Sequence, residues 1–425
     1  MTTATTPVTT EDGTPPVPAP QPRELGTAVS DYLARVRGGD VGSLPAILGL
    51  IVLAIVFSIL RPHTFTNSFN IANLVNQASA VIVIAMGVIF VLLLGEIDLS
   101  AGWTAGVSAS AMGVAATRHN WSWPLAVIAC LVTGAVIGTV IGLLVARLGI
   151  PSFVVTLAAF LALQGVLLKT IGEGGTIPIR DSKLLAINNN TLPVWFGWTL
   201  FIVIVALYAV VSLRRAVSRR AGGLQSEGIS VVVGKVVVLA VLLGLVTFYL
   251  SRERSRNPAV SSIKGVPEVV LLLVVLLVGL NFVLSKTRFG RHVYAVGGNA
   301  EAARRAGINP KQIKLFCFMI GSTLAAVGGI LLASRDNSIS PTTGGAETLL
   351  YAVGAAVIGG TSLFGGKGKI LDAILGGLVI ATIINGMGLL NQTSAVVYMV
   401  TGLVLLLAAS VDALSRRRAQ STGRV

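Results

Sequence analysis

The sequence predicts an all-α fold: a polytopic helical membrane protein of about 10–12 transmembrane segments, with both termini in the cytoplasm. Three observations predict it. Of 425 residues, 54% are apolar and only 12% charged, about half the charged fraction of a soluble domain. The apolar residues gather in long runs divided by short polar stretches. The basic residues concentrate on alternate connections, the bias that orients membrane helices. So little charge cannot cover a water-facing surface of this size, which argues against a soluble enzyme, a disordered protein and a nucleic-acid binder. The formal charge of +15 therefore bears on membrane orientation rather than on nucleic acid.

Residues 1–42 form an N-terminal cytoplasmic tail in this reading. Met1 to Gln21 is rich in Thr and Pro and reads as disordered. It lacks a basic start, and the first apolar run comes too late for a signal peptide. Glu24 to Arg37 is either a short amphipathic helix at the inner membrane surface or a plain linker. Residues 43–412 form the transmembrane domain, and residues 413–425 a basic cytoplasmic tail.

A spanning helix needs about 20 mainly apolar residues. Runs of that kind lie near 43–60, 78–95, 101–117, 123–147, 151–170, 197–213, 231–250, 266–284, 315–333, 346–360, 370–390 and 394–411. The run at 346–360 is short and glycine-rich, which predicts a broken or re-entrant element, tolerated only where protein or a cavity covers the backbone. Gly134, Gly138 and Gly142 repeat every four residues. They share one helix face, where small residues let backbones approach closely in lipid. Cys130 and Cys317 lie inside apolar runs and read as small buried hydrophobes. His63, His119 and His292 have no carboxylate or second histidine at ligand spacing and read as interfacial or loop residues.

With the N-terminus inside and twelve crossings, most of the 32 basic residues fall on the inner side. The connection at 251–265 breaks the pattern. It carries Arg252, Arg254, Arg256 and Lys264 on the expected outer side. Either it is a tolerated exception or the region 197–265 is miscounted by one crossing.

The longest polar interruption runs from Ser285 to Lys314. Asn299 is a good N-cap, and Ala300 to Ala306 are helix formers. Glu301 in the first turn and Arg304 and Arg305 in the last both suit the helix dipole. Gly307 fits the C′ position, and Asn309 with Pro310 fits the cap and first residue of the next helix. These signals predict a short self-capped helix on the basic side, either a docking element or a surface helix on anionic lipid. The stretch GEIDLSAG, Gly95 to Gly102, places two carboxylates at the end of a nearly continuous apolar run, where charge is expensive. Asp98 and Ser100 either cap the helix starting at Ala101 or contact substrate. Near Gly366 and Lys367 the Walker A pattern fails, because Thr361 and Gly368 replace its first Gly and its Ser/Thr. Polar residues in or beside apolar runs, Asn76, Asp98, Ser100, Thr156, Gln164, Glu347 and Asn385, are candidates for a substrate path, or equally for helix–helix hydrogen bonds.

Three of these stretches carry a resemblance. GRHVYAVGGNAEAARRAGI, from Gly290 to Ile308, resembles the cytoplasmic coupling loop of bacterial ABC-importer permeases for monosaccharides, the ribose, galactose and xylose type. GEIDLSAG is similar to that family's GGIDLS-x-G signature, with Glu96 where many members have glycine. Residues 344–347 and 355–369, ending TSLFGGKGK, are similar to its third glycine-rich region. The resemblance covers residue 43 to the C-terminal basic cluster. The region 197–265 looks like an added hairpin, similar to the extra length of xylose-type members.

The resemblance implies a transport subunit rather than an enzyme, multi-pass in the bacterial cytoplasmic membrane. It implies no cofactor of its own, ATP being bound by a partner ATPase subunit. The further partners it implies are an extracytoplasmic sugar-binding protein and a second permease copy, with no nucleic acid. The substrate would be a monosaccharide, best guessed as a pentose such as xylose. It also implies docking to the ATPase through Tyr294, Asn299, Glu301, Arg304, Arg305 and Gly307, within the coupling loop 285–314. The alternatives are a secondary transporter using Glu96, Asp98, Glu347 or Asp372, and an exporter or an ABC permease for nucleosides or branched-chain amino acids. A membrane-embedded enzyme would need a cluster of polar catalytic groups, which the sequence lacks.

Overall fold

The computed structural model describes residues 26, 30, 42–172, 174–255, 257–260 and 262–421. The readings for most of the N-terminal tail, for Arg256 and for the last four residues lie outside them. The helices in chain order are α1 (Leu44–Leu60), α2 (Pro62–Phe65), α3 (Ser68–Leu92), α4 (Ala101–Thr117), α5 (Trp123–Ala146) and α6 (Ser152–Ile171). They continue with α7 (Ser182–Asn189), α8 (Val194–Ala221), α9 (Ile229–Leu250), α10 (Glu268–Lys286), α11 (Arg288–Gly298) and α12 (Ala300–Arg305). The last four are α13 (Pro310–Asp336), α14 (Ala346–Gly359), α15 (Ile370–Leu389) and α16 (Ser394–Ser421).

Each of the twelve apolar runs falls on a helix. Eight helices, α3, α5, α6, α8, α9, α10, α13 and α15, are long and apolar enough to cross a bilayer, while α1 and α14 are shorter apolar helices. Several helices outrun their apolar windows. α3 begins ten residues before the run at 78–95, because the Asn67 side chain accepts from the Phe69 amide at 2.9 Å and caps a polar first turn. Sequence analysis read no strand. Among the described residues there is one two-residue antiparallel pair, β1 (Ile177–Pro178) with β2 (Ser338–Ile339), in which Ile177 faces Ile339. Two residues are too few to leave a periodic trace.

The chain divides into two compact units. One is built around Trp195–Tyr249, the other from Gly39–Val194 and Leu250–Val425. In the larger unit, α13 is the central helix and packs along α5, α3 and α4. Its Cys317, Phe318, Ala325, Ala326, Leu331 and Ala333 are fully buried. The glycine face of α5 lies on it. A Cβ on Gly134 would sit 2.7 Å from the Ser322 carbonyl oxygen, and one on Gly142 would sit 2.9 Å from a Leu315 methyl. A Cβ on Gly138 would sit 2.7 Å from the Ser322 side chain and 2.8 Å from the Met319 backbone. Gly87 of α3 meets the Gly321 backbone in the same way. The seam has no room for side chains, so backbone–backbone dispersion holds it.

The short run at 346–360 is itself one continuous 14-residue helix, α14, and the chain is non-helical just before it. After β2 the chain runs without helix to Gly345, along α4, where Thr343 and Gly344 lie against Gly106 and Gly102. Turns satisfy its backbone: the Thr343 amide donates to the Ser340 carbonyl at 3.0 Å and the Gly345 amide to Thr342 at 3.1 Å. The half-length helix α14 then begins.

The basic connection at 251–265 is a folded loop. Arg254 is buried and donates to the carbonyls of Leu250 at 2.6 Å and Gly265 at 2.8 Å, bracing both ends of the loop. Glu253 accepts from the amides of Arg254, Ser255 and Ile263 and from the Ser262 hydroxyl, and lies 3.5 Å from Lys264. Two of the awkward cations are thus structural, which accounts for their presence on this connection.

The smaller unit is the hairpin of α8 and α9. Its faces are aliphatic and outward, with Leu207, Val211, Val237 and Val241 among the exposed residues.

Two outcomes follow from this packing. Gly138→Val overpacks the α5–α13 seam and lowers stability by about 1–3 kcal/mol, read as a drop in thermal midpoint in detergent. The hydrogen bonds that Ser262, Ser255 and Ile263 donate to Glu253 hold its carboxyl down at about 2, against about 4.3 for a free Glu. A lowered folded value means stabilisation present above the unfolded value and lost as pH falls toward 2. Exchange protection of the Ile263 amide therefore falls between about pH 4.3 and 2, and Glu253→Gln abolishes that dependence.

Candidate coupling surface and path

The segment after α10 turns out to hold two short helices. Sequence analysis expected the second; the first, α11, was left unassigned. The Thr287 hydroxyl caps α11 by accepting from the Gly290 amide at 3.2 Å, and α11 buries Gly290, Val293 and Val296 on one face. The Asn299 side chain accepts from the Ala302 amide at 2.9 Å and starts α12. Glu301 is clamped from the last turn: Arg304 donates to it through Nε at 3.0 Å and Nη2 at 2.8 Å, and Arg305 through Nε at 3.3 Å. These bonds hold the Glu301 carboxyl below the usual range and the Arg304 guanidinium above it. Gly307 has φ +82°, the left-handed conformation that ends helices on glycine. It lets the Ile308 amide donate back to the Ala303 carbonyl at 3.1 Å. Asn309 caps α13 by accepting from the Lys311 and Gln312 amides at 3.1 and 3.3 Å. Asn299, Glu301, Arg304, Arg305 and Gly307 are all exposed, while Ala303 faces inward.

Tyr294 is different. It is half-buried, and its hydroxyl donates to the Gly368 carbonyl at 2.8 Å. Burial, with the nearby Asp372 carboxylate, raises its titration point. The phenol is an internal brace rather than an outward contact.

Beneath α11 and α12 the three glycine-rich stretches meet. A Cβ on Gly297 of α11 would collide with the Leu93 carbonyl and reach 2.9 Å from the Gly366 amide, and that amide donates to the Leu93 carbonyl at 2.9 Å. Gly365, at φ +86°, fits between the Gly297 carbonyl and Gly95, where only a residue without a side chain has space. The loop 361–369 is tied to α15 through Asp372, which accepts from the Thr361 hydroxyl at 2.9 Å and the Lys369 amide at 2.8 Å. Glu96, where many members of the resembled family have glycine, forms an ion pair with Lys314 in the first turns of α13, both partly buried. Sequence reasoning missed this pair, since 218 positions separate two residues with no local signal. It also missed Phe364, 71% exposed at the tip of the glycine loop beside this cluster.

Asp98 and Ser100 are buried in the break between α3 and α4. The Asp98 carboxylate accepts from the Ser100 amide at 2.8 Å and its hydroxyl at 2.6 Å. α6 grips the same break: the Ile97 amide donates to the Ser152 hydroxyl at 3.2 Å, and the Thr156 hydroxyl donates to the Ile97 carbonyl at 3.2 Å. Asp98, Ser100 and Thr156 therefore shape one turn together.

The remaining path candidates are dispersed. Asn385 on α15 exchanges amide hydrogen bonds with Asn70 on α3 at 2.9 and 3.0 Å. The exposed Glu347 accepts from the hydroxyls of Tyr351 at 2.6 Å and Tyr398 at 3.1 Å. Gln164 is half-buried on α6. The Asn76 carbonyl accepts from the Ser79 hydroxyl at 2.7 Å, while its side-chain oxygen, though buried, has no partner among the described residues. Trp103 Nε1, Thr104 Oγ1 and Ser108 Oγ share that condition. All three lie within two turns of α4, and an Ala/Gly/Ser/Thr-rich run gives no reason to single them out.

An all-α bundle of bilayer-length helices, with a capped helix pair presented on a glycine cluster at one end, defines a membrane transport subunit. Residues 70–409 match the family described as "Branched-chain amino acid transport system / permease component", and the chain belongs to that family. It is 34% identical over 399 residues, 94% of this chain and 98% of the relative, to the xylose transport system permease protein XylH of Escherichia coli strain K12. It is 33% identical to the protein of the same name in Haemophilus influenzae, over 88% of this chain and 98% of the relative. It is 30% identical to the ribose import permease protein RbsC of Escherichia coli strain K12, over 86% of this chain and 92% of the relative. No solved structure matches the chain.

Glu96→Lys breaks the ion pair and leaves Lys314 beside a like charge. It lowers the thermal midpoint by an amount corresponding to about 1–3 kcal/mol, between the cost of losing an exposed pair and that of a fully buried one. Glu96→Lys combined with Lys314→Glu recovers most of that loss, and a double-mutant cycle in detergent reads the coupling.

Proposed function

We propose that this chain is the membrane-spanning permease subunit of an ATP-driven, binding-protein-dependent importer of a monosaccharide, a pentose such as xylose. Support for the substrate class comes from the relatives named for xylose and ribose transport. The observation that carries the coupling role is the α11–α12 segment. Its outer side is polar and exposed, and its inner side rests on the ends of α3 and the 361–369 loop. A partner pushing on Glu301, Arg304 and Arg305 would move those ends through α11, whose Gly297 and Tyr294 touch them, and the exposed Phe364 would offer an apolar anchor.

A bilayer stops sugars because each hydroxyl must leave water. Burying one without a partner costs roughly 2–7 kcal/mol. A permease therefore needs a shielded path that opens to one side at a time. The unpartnered groups Trp103, Thr104 and Ser108 on α4 and Asn76 on α3 are the best candidates to line it, since each has hydrogen-bonding capacity that the surrounding residues leave unused. ATP binding would close two ATPase modules and shift two permease copies between inward and outward states, by no more than its differential affinity for the two. An outer sugar-binding protein would deliver substrate and supply most of the recognition.

Glu301→Ala with Arg305→Ala is expected to leave insertion and thermal stability unchanged while uptake falls to background. The check is ATP-driven uptake of labelled xylose, with ribose and galactose as competitors, in proteoliposomes holding permease and ATPase, supplied with the sugar-binding protein and without an ion gradient. Normal ATPase pull-down with wild-type uptake in that variant overturns the docking role. Uptake that needs an ion gradient and no ATP overturns the importer reading in favour of a secondary transporter.

A further inference from the structure

The hairpin unit contains a polar cavity of about 330 Å³ at the end where α8 and α9 join. Its walls include Arg215 and Arg219 of α8, Lys235 of α9, the Tyr208 ring, and Ser212 and Ser226. Three cations thus meet one carboxylate, Glu227, and Lys235 holds that carboxylate through both oxygens at 2.7 and 2.8 Å. Arg215 and Arg219 are exposed and have no ion-pair partner among the described residues. The cavity therefore carries a local excess of positive charge, two guanidiniums with free planar donor sets, and hydroxyls beside them. That combination suits phosphate oxygens.

Its depth is also defined. α8 is apolar from Val194 to Leu213, twenty residues at 1.5 Å each, or about 30 Å, the thickness of a hydrocarbon core. Trp195 and Trp198 mark the far end, stacked edge-on against Phe196 and Phe201, as expected of an interfacial aromatic belt. Arg215 and Arg219 then lie at headgroup level. Just beyond them toward the membrane centre, the outer faces of both helices are aliphatic, with Leu207, Val211 and Val238 exposed. A ligand with an anionic phosphate head and acyl chains fits both parts at once.

We propose that this cavity is a binding site for the phosphate headgroup of an anionic phospholipid, with Arg215 and Arg219 as its principal contacts and Lys235, Ser212 and Tyr208 around it. The hairpin is held in the bilayer by a specific lipid as well as by its apolar faces. Free inorganic phosphate shares the head chemistry but has nothing to lay along the aliphatic faces.

The test uses the full-length purified chain, delipidated in neutral detergent and titrated with phosphatidylglycerol, phosphatidylcholine or inorganic phosphate. Native mass spectrometry reads retained lipid and thermal unfolding reads stabilisation. Phosphatidylglycerol is expected to be retained and to raise the midpoint, and phosphatidylcholine to do neither. Arg215→Gln with Arg219→Gln weakens retention by about fivefold per arginine, on the scale of one basic group beside an anionic lipid surface. Arg214→Gln with Arg220→Gln removes the same charge outside the cavity and leaves retention unchanged. If the double variant in the cavity aggregates, Arg219→Gln alone carries the comparison. Equal losses in the two double variants, or equal retention of phosphatidylcholine, overturn the proposal. A midpoint shift from inorganic phosphate with none from phosphatidylglycerol overturns it in favour of a soluble anion.

Discussion

In a bilayer no water reaches a backbone group left open when a helix stops, so every interruption must be closed from inside the chain. The break between α3 and α4 is where this constraint shapes the molecule. The Leu93 carbonyl takes the Gly366 amide, the two polar ends of Ile97 are taken by Ser152 and Thr156, and the Ser100 amide is taken by Asp98. Two of these partners, Ser152 and Thr156, come from α6, one from the 361–369 loop and one from the break itself. Closing one break therefore draws together α6 and the 361–369 loop. The stretch before α14 has turns of its own, and glycines on α4 leave room for it to lie close.

Much of the fold was legible because membrane helices are written in length and apolarity alone. Twelve runs became twelve helices, and the odd short run became a short continuous helix that follows a non-helical segment. Helix ends in the 285–314 segment were equally readable, since Asn299, Gly307 and Asn309 act on backbone groups two or three residues away. What failed to show was whatever depends on residues far apart. Nothing near Glu96 announces Lys314, and nothing near Tyr294 announces Gly368. α11 escaped notice because its glycines argue against a helix, and only burial of Val293 and Val296 against the bundle overrides that propensity.

The polar path candidates illustrate the same division. Sequence could name buried polar side chains but could not tell which of them already have partners. Asp98, Thr156 and Asn385 are engaged in structural hydrogen bonds, whereas the polar side-chain atoms of Trp103, Thr104 and Ser108, inconspicuous in a small-residue run, have no partner among the described residues. The basic loop at 251–265 makes a parallel point about charge. A rule that counts cations treats Arg254 as exposed, yet its guanidinium is folded onto the carbonyls of Leu250 and Gly265.

The contact of Gly297 with the Leu93 carbonyl has a mechanical meaning. Side chains are compliant, because a rotamer change can absorb an ångström of travel. Here main chain bears on main chain with nothing interposed, so the joint has almost no slack. A displacement of α11 at this joint bears on the end of α3, a 25-residue helix, with no side chain between them to absorb it by changing rotamer.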